Sequence, residues 1–184
     1  MVKRFLIGGS GGQGILFMGK VIAYAAMYRN QEVTWFPSYG AEMRGGAANC
    51  IVIMSDEPIG SPVFHFTDYL IVFNEAAYKR YIPRLRDNGV LFYDESLFQP
   101  DARLKVHTVA VKATKIAKEL GNIRVANMIM AGALASVTKI FNKDELLHAL
   151  DGDKSECTLN ALPLNKQAIL KGFDIVDDKK SLYS

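Results

Sequence analysis

The chain has 184 residues, 49% hydrophobic and 22% charged, with a formal net charge of +3 from 22 basic and 19 acidic side chains. That length fits one domain able to bury a real core, and the composition excludes a disordered chain. The charge is too balanced for a nucleic-acid surface, and the two cysteines, Cys50 and Cys157, supply no disulfide framework and no zinc or iron–sulfur ligand set.

The longest charge-poor runs are about 14 residues, short of the ~20 that span a bilayer. Glycines occupy the place where a signal peptide would carry its apolar core. With so little cysteine, the expectation is a chain of the reducing cytoplasm, without membrane or nucleic-acid partners.

In chain order, Arg4–Ile7 is predicted as a strand and Ile15–Tyr28 as a long helix. Between them lies Gly8-Gly9-Ser10-Gly11-Gly12-Gln13-Gly14. This is the turn of a phosphate-cradling βα unit: glycines admit φ > 0 and bare N–H groups, and the helix that follows points its positive end at the same place. Gly9, Gly11 and Gly14 form G-x-G-x-x-G in strand–turn–helix context. The helix carries Lys20 as its single charge. A surface helix normally shows a polar face over half its circumference. Here either the protein covers both sides or one side meets a partner subunit.

Gln31–Phe36 is predicted as the second strand. A dinucleotide fold would end it with Asp or Glu for the ribose hydroxyls, but the chain continues Phe36-Pro37-Ser38-Tyr39-Gly40. Ile15-Leu16 stands where a Walker A loop needs Lys and Ser or Thr. The stretch Pro37–Gly46 then reads as a loop. Its Arg44, flanked closely by glycines, can present a bidentate fork to an anion, or can simply pair with Glu42.

Ala47–Ser55 is a predicted buried strand, with Cys50 a structural thiol inside it. Tyr69–Asn74, a helix from Glu75 to about Tyr81, a turn at Asn88-Gly89 and Val90–Asp94 make a βαβ unit, which implies parallel pairing. Lys105–Val111 is a further strand, and the helix after it stops with Gly121 at its C′ position. Val125–Thr138 is a helix without charge. Asn142 is read as an N-cap. The last helix is predicted from about Asn160 or Leu164 to Lys171, ended by Gly172. One domain over 1–184 is expected, its polar tail from about 174 mobile. His65, His107 and His148 are dispersed, with no metal-ligand spacing.

Gly9-Ser10-Gly11-Gly12-Gln13-Gly14 resembles the G-x-G-G-Q-G signature of the γ subunits of 2-oxoacid:ferredoxin oxidoreductases. Pro37-Ser38-Tyr39-Gly40-Ala41-Glu42-Met43-Arg44-Gly45-Gly46 is similar to the family's second signature. Ser61-Pro62 and Arg124-Val125-Ala126-Asn127-Met128 also look like it, so the resemblance runs from Val2 to about Gly172. It implies an α/β, Rossmann-like three-layer fold with a mainly parallel sheet. It also implies a complex that converts a 2-oxoacid and coenzyme A to acyl-CoA, CO2 and reduced ferredoxin or another acceptor, most like the 2-oxoglutarate or branched-chain members.

Thiamine diphosphate, magnesium and iron–sulfur clusters would belong to partner α and β subunits or a ferredoxin-like δ subunit. The isolated chain would be inactive, with no catalytic residue and no metal of its own. Gly9, Ser10, Gly11, Gly12, Gln13 and Gly14 would form one half of a cofactor contact, to the diphosphate of coenzyme A, with Gln13 orienting it. Arg44 would anchor the anion, beside Ser38 and Tyr39. Two alternatives stay open: the glycines only permit close packing at a subunit interface, or the chain is a stand-alone nucleotide-binding reductase module.

Overall fold

A computed structural model describes residues 1–39, 47–152 and 156–177, apart from the side chains of 39, 156–159 and 176–177. Six strands form one sheet: β1 (Lys3–Ser10), β2 (Glu32–Tyr39), β3 (Ala47–Ser55), β4 (Thr67–Val72), β5 (Leu85–Asp94) and β6 (His107–Val111), in the order β2-β3-β1-β4-β5-β6. β1, β4, β5 and β6 pair in parallel, whereas β3 runs antiparallel to both of its neighbours, β1 and β2. The fold is therefore α/β with a mainly parallel sheet.

Alternation along the strands sorts their side chains into two cores. Phe5, Ile7, Val52, Met54, Ile71 and Phe92 face one side, where they meet α1 (Ile15–Tyr28), α3 (Ala113–Glu119), α4 (Ala126–Thr138) and α5 (Lys143–Ala149). Leu6, Ile51, Ile53, Leu70 and Leu91 face the other, under α2 (Glu75–Tyr81) and the segments around Ile59, Phe64 and Phe98.

The two apolar helices are covered by the chain itself. Every residue of α4 from Ala126 to Ser136 is buried. On its outer side α6 (Glu156–Asp177) crosses it at a pair of glycines: a Cβ on Gly132 would collide with the carbonyl of Ile169, and one on Gly172 with that of Ile129. Gly172 therefore does not end the last helix, as its composition suggested. It lies within α6 because only a bare Cα lets the two backbones touch. The helix starts earlier and runs later than predicted, through Asp177. α1 is likewise pressed between the β2–β3 side of the sheet and α4 and α5, with Met27 and Tyr28 left exposed at its end. Most of its apolar surface is thus covered within the chain.

Two further boundaries differ from the prediction. β2 does not stop at Phe36; Pro37, Ser38 and Tyr39 pair with Cys50, Asn49 and Ala48. Proline is compatible with this because β2 is an edge strand, where a missing N–H need not break the ladder. The Asn88-Gly89 turn is absorbed into β5 as an irregularity. Thr67 pairs with Leu85 and Tyr69 with Val90, so Arg86–Gly89 on the β5 side stands opposite Asp68 alone. Other signals hold. Gly121 takes φ +87 just past α3, and Asn142 closes a capping box with Glu145 at the start of α5.

Candidate functional site

The strands β1, β4, β5 and β6 end at one edge of the sheet, and α1 and α2 leave β1 and β4 towards opposite faces. That is a topological switch point, where open α/β sheets present their ligand crevice. The glycine turn sits on it.

Ser10 to Gln13 close a β-turn, with the Gln13 N–H donating to the Ser10 carbonyl at 3.2 Å. Gly12, the third residue, has φ +94, as a type II turn requires. Gly14 follows at φ 71, ψ 24 as the N-cap of α1, without a side-chain cap and with no acidic residue in the first turn. The amides of Gly11 and Gly12 and those of the first turn of α1 have no bonding partner among the described residues. Gly11 and Gly12 are exposed, and a side chain on Gly12 would meet open space.

The underside of the turn is crowded. A Cβ on Gly9 would sit 2.7 Å from Gln13 Oε1 and from Ile15 Cδ1, and one on Gly8 2.8 Å from the Tyr81 ring of α2. At Gly14 it would collide with Asn127 Nδ2. Asn127, 3% exposed, donates that amide to the Gly14 carbonyl at 3.0 Å. It comes from the start of α4, so the Arg124–Met128 motif and the glycine motif are in contact. Gln13 folds inward. Its Oε1 accepts from the Ser10 N–H at 2.7 Å and its Nε2 donates to the Phe73 carbonyl at 3.4 Å. Asn74 donates to Ser10 Oγ at 2.9 Å and to Gln13 Oε1 at 3.2 Å. Ser10, Asn74, Ala77, Arg80 and Tyr81 line an opening of about 170 Å³ between the turn and α2.

The second signature reaches the same edge. Ser38 pairs with Asn49, which pairs with Gly8; Tyr39 pairs with Ala48, which pairs with Gly9. Two strand spacings, about 10 Å, separate the ends of β2 and β1. Ser38 and Tyr39 therefore belong to a strand and not to a loop. Arg44 lies outside the described residues.

Below the turn, Gly19 of α1 lets the helix settle on Cys50 and Trp35: a Cβ there would strike the Cys50 sulfur. Burial pushes the Cys50 thiol up from 9.0 to about 12, with the neighbouring Trp35 side chain acting in the opposite direction. It is a packing residue, too hard to ionise to act as a nucleophile. Among the described residues, no group of three or more His, Cys, Asp and Glu side chains is placed to hold a metal ion. No described helix is long and apolar enough to cross a membrane.

Sequence reasoning missed Asn74 and the contact made by Asn127. Asn74 stands just before Glu75-Ala76-Ala77, an N-cap position that marks the start of α2. Nothing in the spacing announced that its other end grips the glycine turn.

The sequence pattern of the family described as pyruvate ferredoxin/flavodoxin oxidoreductase matches residues 4–175. A ketoisovalerate oxidoreductase subunit VorA of Methanothermobacter marburgensis is 36% identical over 134 residues, 73% of this chain and 28% of that protein. The chain thus spans under a third of that relative's length. The 2-oxoglutarate synthase subunit KorC of Methanocaldococcus jannaschii is 34% identical over 97% of this chain and 96% of its own. Among solved structures, the γ subunit of a keto/oxoacid ferredoxin oxidoreductase from Geobacter sulfurreducens superposes with a TM-score of 0.81 at 29% identity, covering 95% of both chains. A 2-oxoglutarate:ferredoxin oxidoreductase from Magnetococcus marinus, bearing 2-oxoglutarate, coenzyme A and succinyl-CoA, gives 0.84 at 27% identity over 96% of this chain and 31% of that one.

Proposed function

Because the chain belongs to the pyruvate ferredoxin/flavodoxin oxidoreductase family, we propose that it is the γ-type subunit of a 2-oxoacid oxidoreductase complex. The complex converts a 2-oxoacid and coenzyme A to acyl-CoA and CO2, and passes two electrons to ferredoxin or a similar acceptor. The match that carries this reading is the one to relatives of the same size, which are themselves named as single subunits. A stand-alone dinucleotide enzyme is not favoured: such a fold carries an acid at the end of its second strand, where this chain has Phe36-Pro37-Ser38-Tyr39.

In this reading α and β partners hold thiamine diphosphate and magnesium, and iron–sulfur clusters lie in the β partner or a δ partner. Thiamine diphosphate, held by those partners, would supply the electron sink for loss of CO2. The contribution of this chain is a contact for coenzyme A. Gly11, Gly12 and Gly14 offer amide donors to its diphosphate, as an N-terminal helix turn suits an anion. Gly9 lets the turn close, and Ser10 and Gln13 shape it. Ser38, Tyr39 and Arg44 form the other half, with Arg44 as the anion anchor.

The test is co-expression with candidate α and β chains. The isolated chain should reduce no acceptor, and the assembly should do so only with both a 2-oxoacid and coenzyme A. Decarboxylation by the isolated chain, or tight binding of NAD or FAD to it, would sink the proposal.

A further inference from the structure

We infer that Asn74 is a positioning residue for the glycine turn, holding its amides ready for an anion; the inference rests on the turn being the coenzyme A contact. The two ends of its side-chain amide do different work. Oδ1 accepts from the Ala77 N–H at 2.8 Å and caps α2. Nδ2 points the other way, to Ser10 Oγ at 2.9 Å and Gln13 Oε1 at 3.2 Å. Ser10 and Gln13 are the first and fourth residues of the β-turn whose tip is Gly11-Gly12.

The bonds form a closed set. Gln13 Oε1 takes the Ser10 N–H as well, Gln13 Nε2 reaches the Phe73 carbonyl, and the Phe73 N–H returns to the Gly8 carbonyl at 3.0 Å. A tip of two exposed glycines has no side chain with which to hold itself, and glycine has the most backbone freedom to lose. Fixing both stems of the turn from the junction of β4 and α2 settles that freedom before a ligand arrives, which is how preorganisation raises affinity. An N-cap alone would need only the oxygen of Asn74. The nitrogen and its two acceptors are what assign the second role.

The variant Asn74→Ser separates them, because serine caps a helix as well as asparagine does but lacks the amide donor. The probe is inorganic pyrophosphate, titrated into the full chain while the Gly11, Gly12 and Ala77 amides are followed by NMR and hydrogen exchange. Wild type should bind saturably through Gly11 and Gly12. If the variant holds the competent turn a tenth of the time, its affinity falls about tenfold. Turn amides should exchange faster while Ala77 protection stays at the wild-type level. Equal pyrophosphate affinity in both proteins, no saturable binding in wild type, or an equal loss of protection at Ala77 would overturn the role. The subunit reading is judged separately, by coenzyme A-dependent turnover of the wild-type assembly. Normal turnover with equal pyrophosphate binding removes Asn74's role alone; an Asn74-dependent response without turnover removes the subunit reading alone.

Discussion

Gly12 and Gly14 are two residues apart in one motif, both at positive φ, and their surroundings are opposite. Around Gly14 the amide of Asn127 fills the space a side chain would take; a Cβ on Gly12 would meet nothing within 4 Å among the described residues. The inner half of the turn is glycine because the protein packs against it. At the outer half only the backbone asks for glycine, at φ +94 in the third place of a type II turn, and among the described residues no side chain covers it. The same motif thus holds a packing demand at Gly14 and, at Gly12, a backbone demand beneath an open tip, and substitutions should tell them apart.

The largest effect concerns the packed region beneath. With its thiol at about 12 rather than 9.0, Cys50 should alkylate about a thousandfold more slowly in the folded protein than an ordinary cysteine, three pK units of lost thiolate. Peptide-resolved mass spectrometry of iodoacetamide labelling at pH 8 would show it. The sign for stability follows. The neutral thiol is favoured by folding, so its contribution is full below pH 9.0 and is lost as pH rises through about 12. A Cys50 peptide that labels at the unfolded rate would mean that α1 does not seal on β3 as described.

Next comes Gly14→Ala. It places a side chain at φ 71 and displaces the buried amide of Asn127 from the Gly14 carbonyl. Left-handed strain and a broken buried hydrogen bond together cost about 3 kcal/mol, a fall in Tm of roughly 10 °C for a chain of this size. Gly12→Ala should cost only about 1 kcal/mol, from backbone strain alone, and lower Tm by about 3 °C. Calorimetric melting of the two variants checks the pair. Equal losses would erase the distinction between the two halves.

Much of this was legible in the sequence. The limits of α1, the N-cap at Asn142 and the stop at Gly121 follow from local chemistry, and local chemistry is written in order along the chain. What escaped was set by contacts between distant segments. Gly172 reads as a helix stop until Gly132 is seen across from it. Pro37 reads as a strand end until β2 is known to be an edge. The charge-poor α1 left a partner subunit open because α5, one of the elements that cover it, comes later in the chain. Asn127 stood in a recognisable motif, but its hold on Gly14 spans 113 residues.

The central claim is that the open tip of the glycine turn meets coenzyme A. The most direct test is Gly12→Leu in the assembled complex, reading KM for coenzyme A and for the 2-oxoacid separately. The side chain should exclude the ligand's diphosphate from the tip. A loss of one good charged contact corresponds to about a tenfold rise in KM for coenzyme A, with KM for the 2-oxoacid unchanged and the complex intact. An unchanged dependence on coenzyme A would contradict the claim and leave the tip an empty loop.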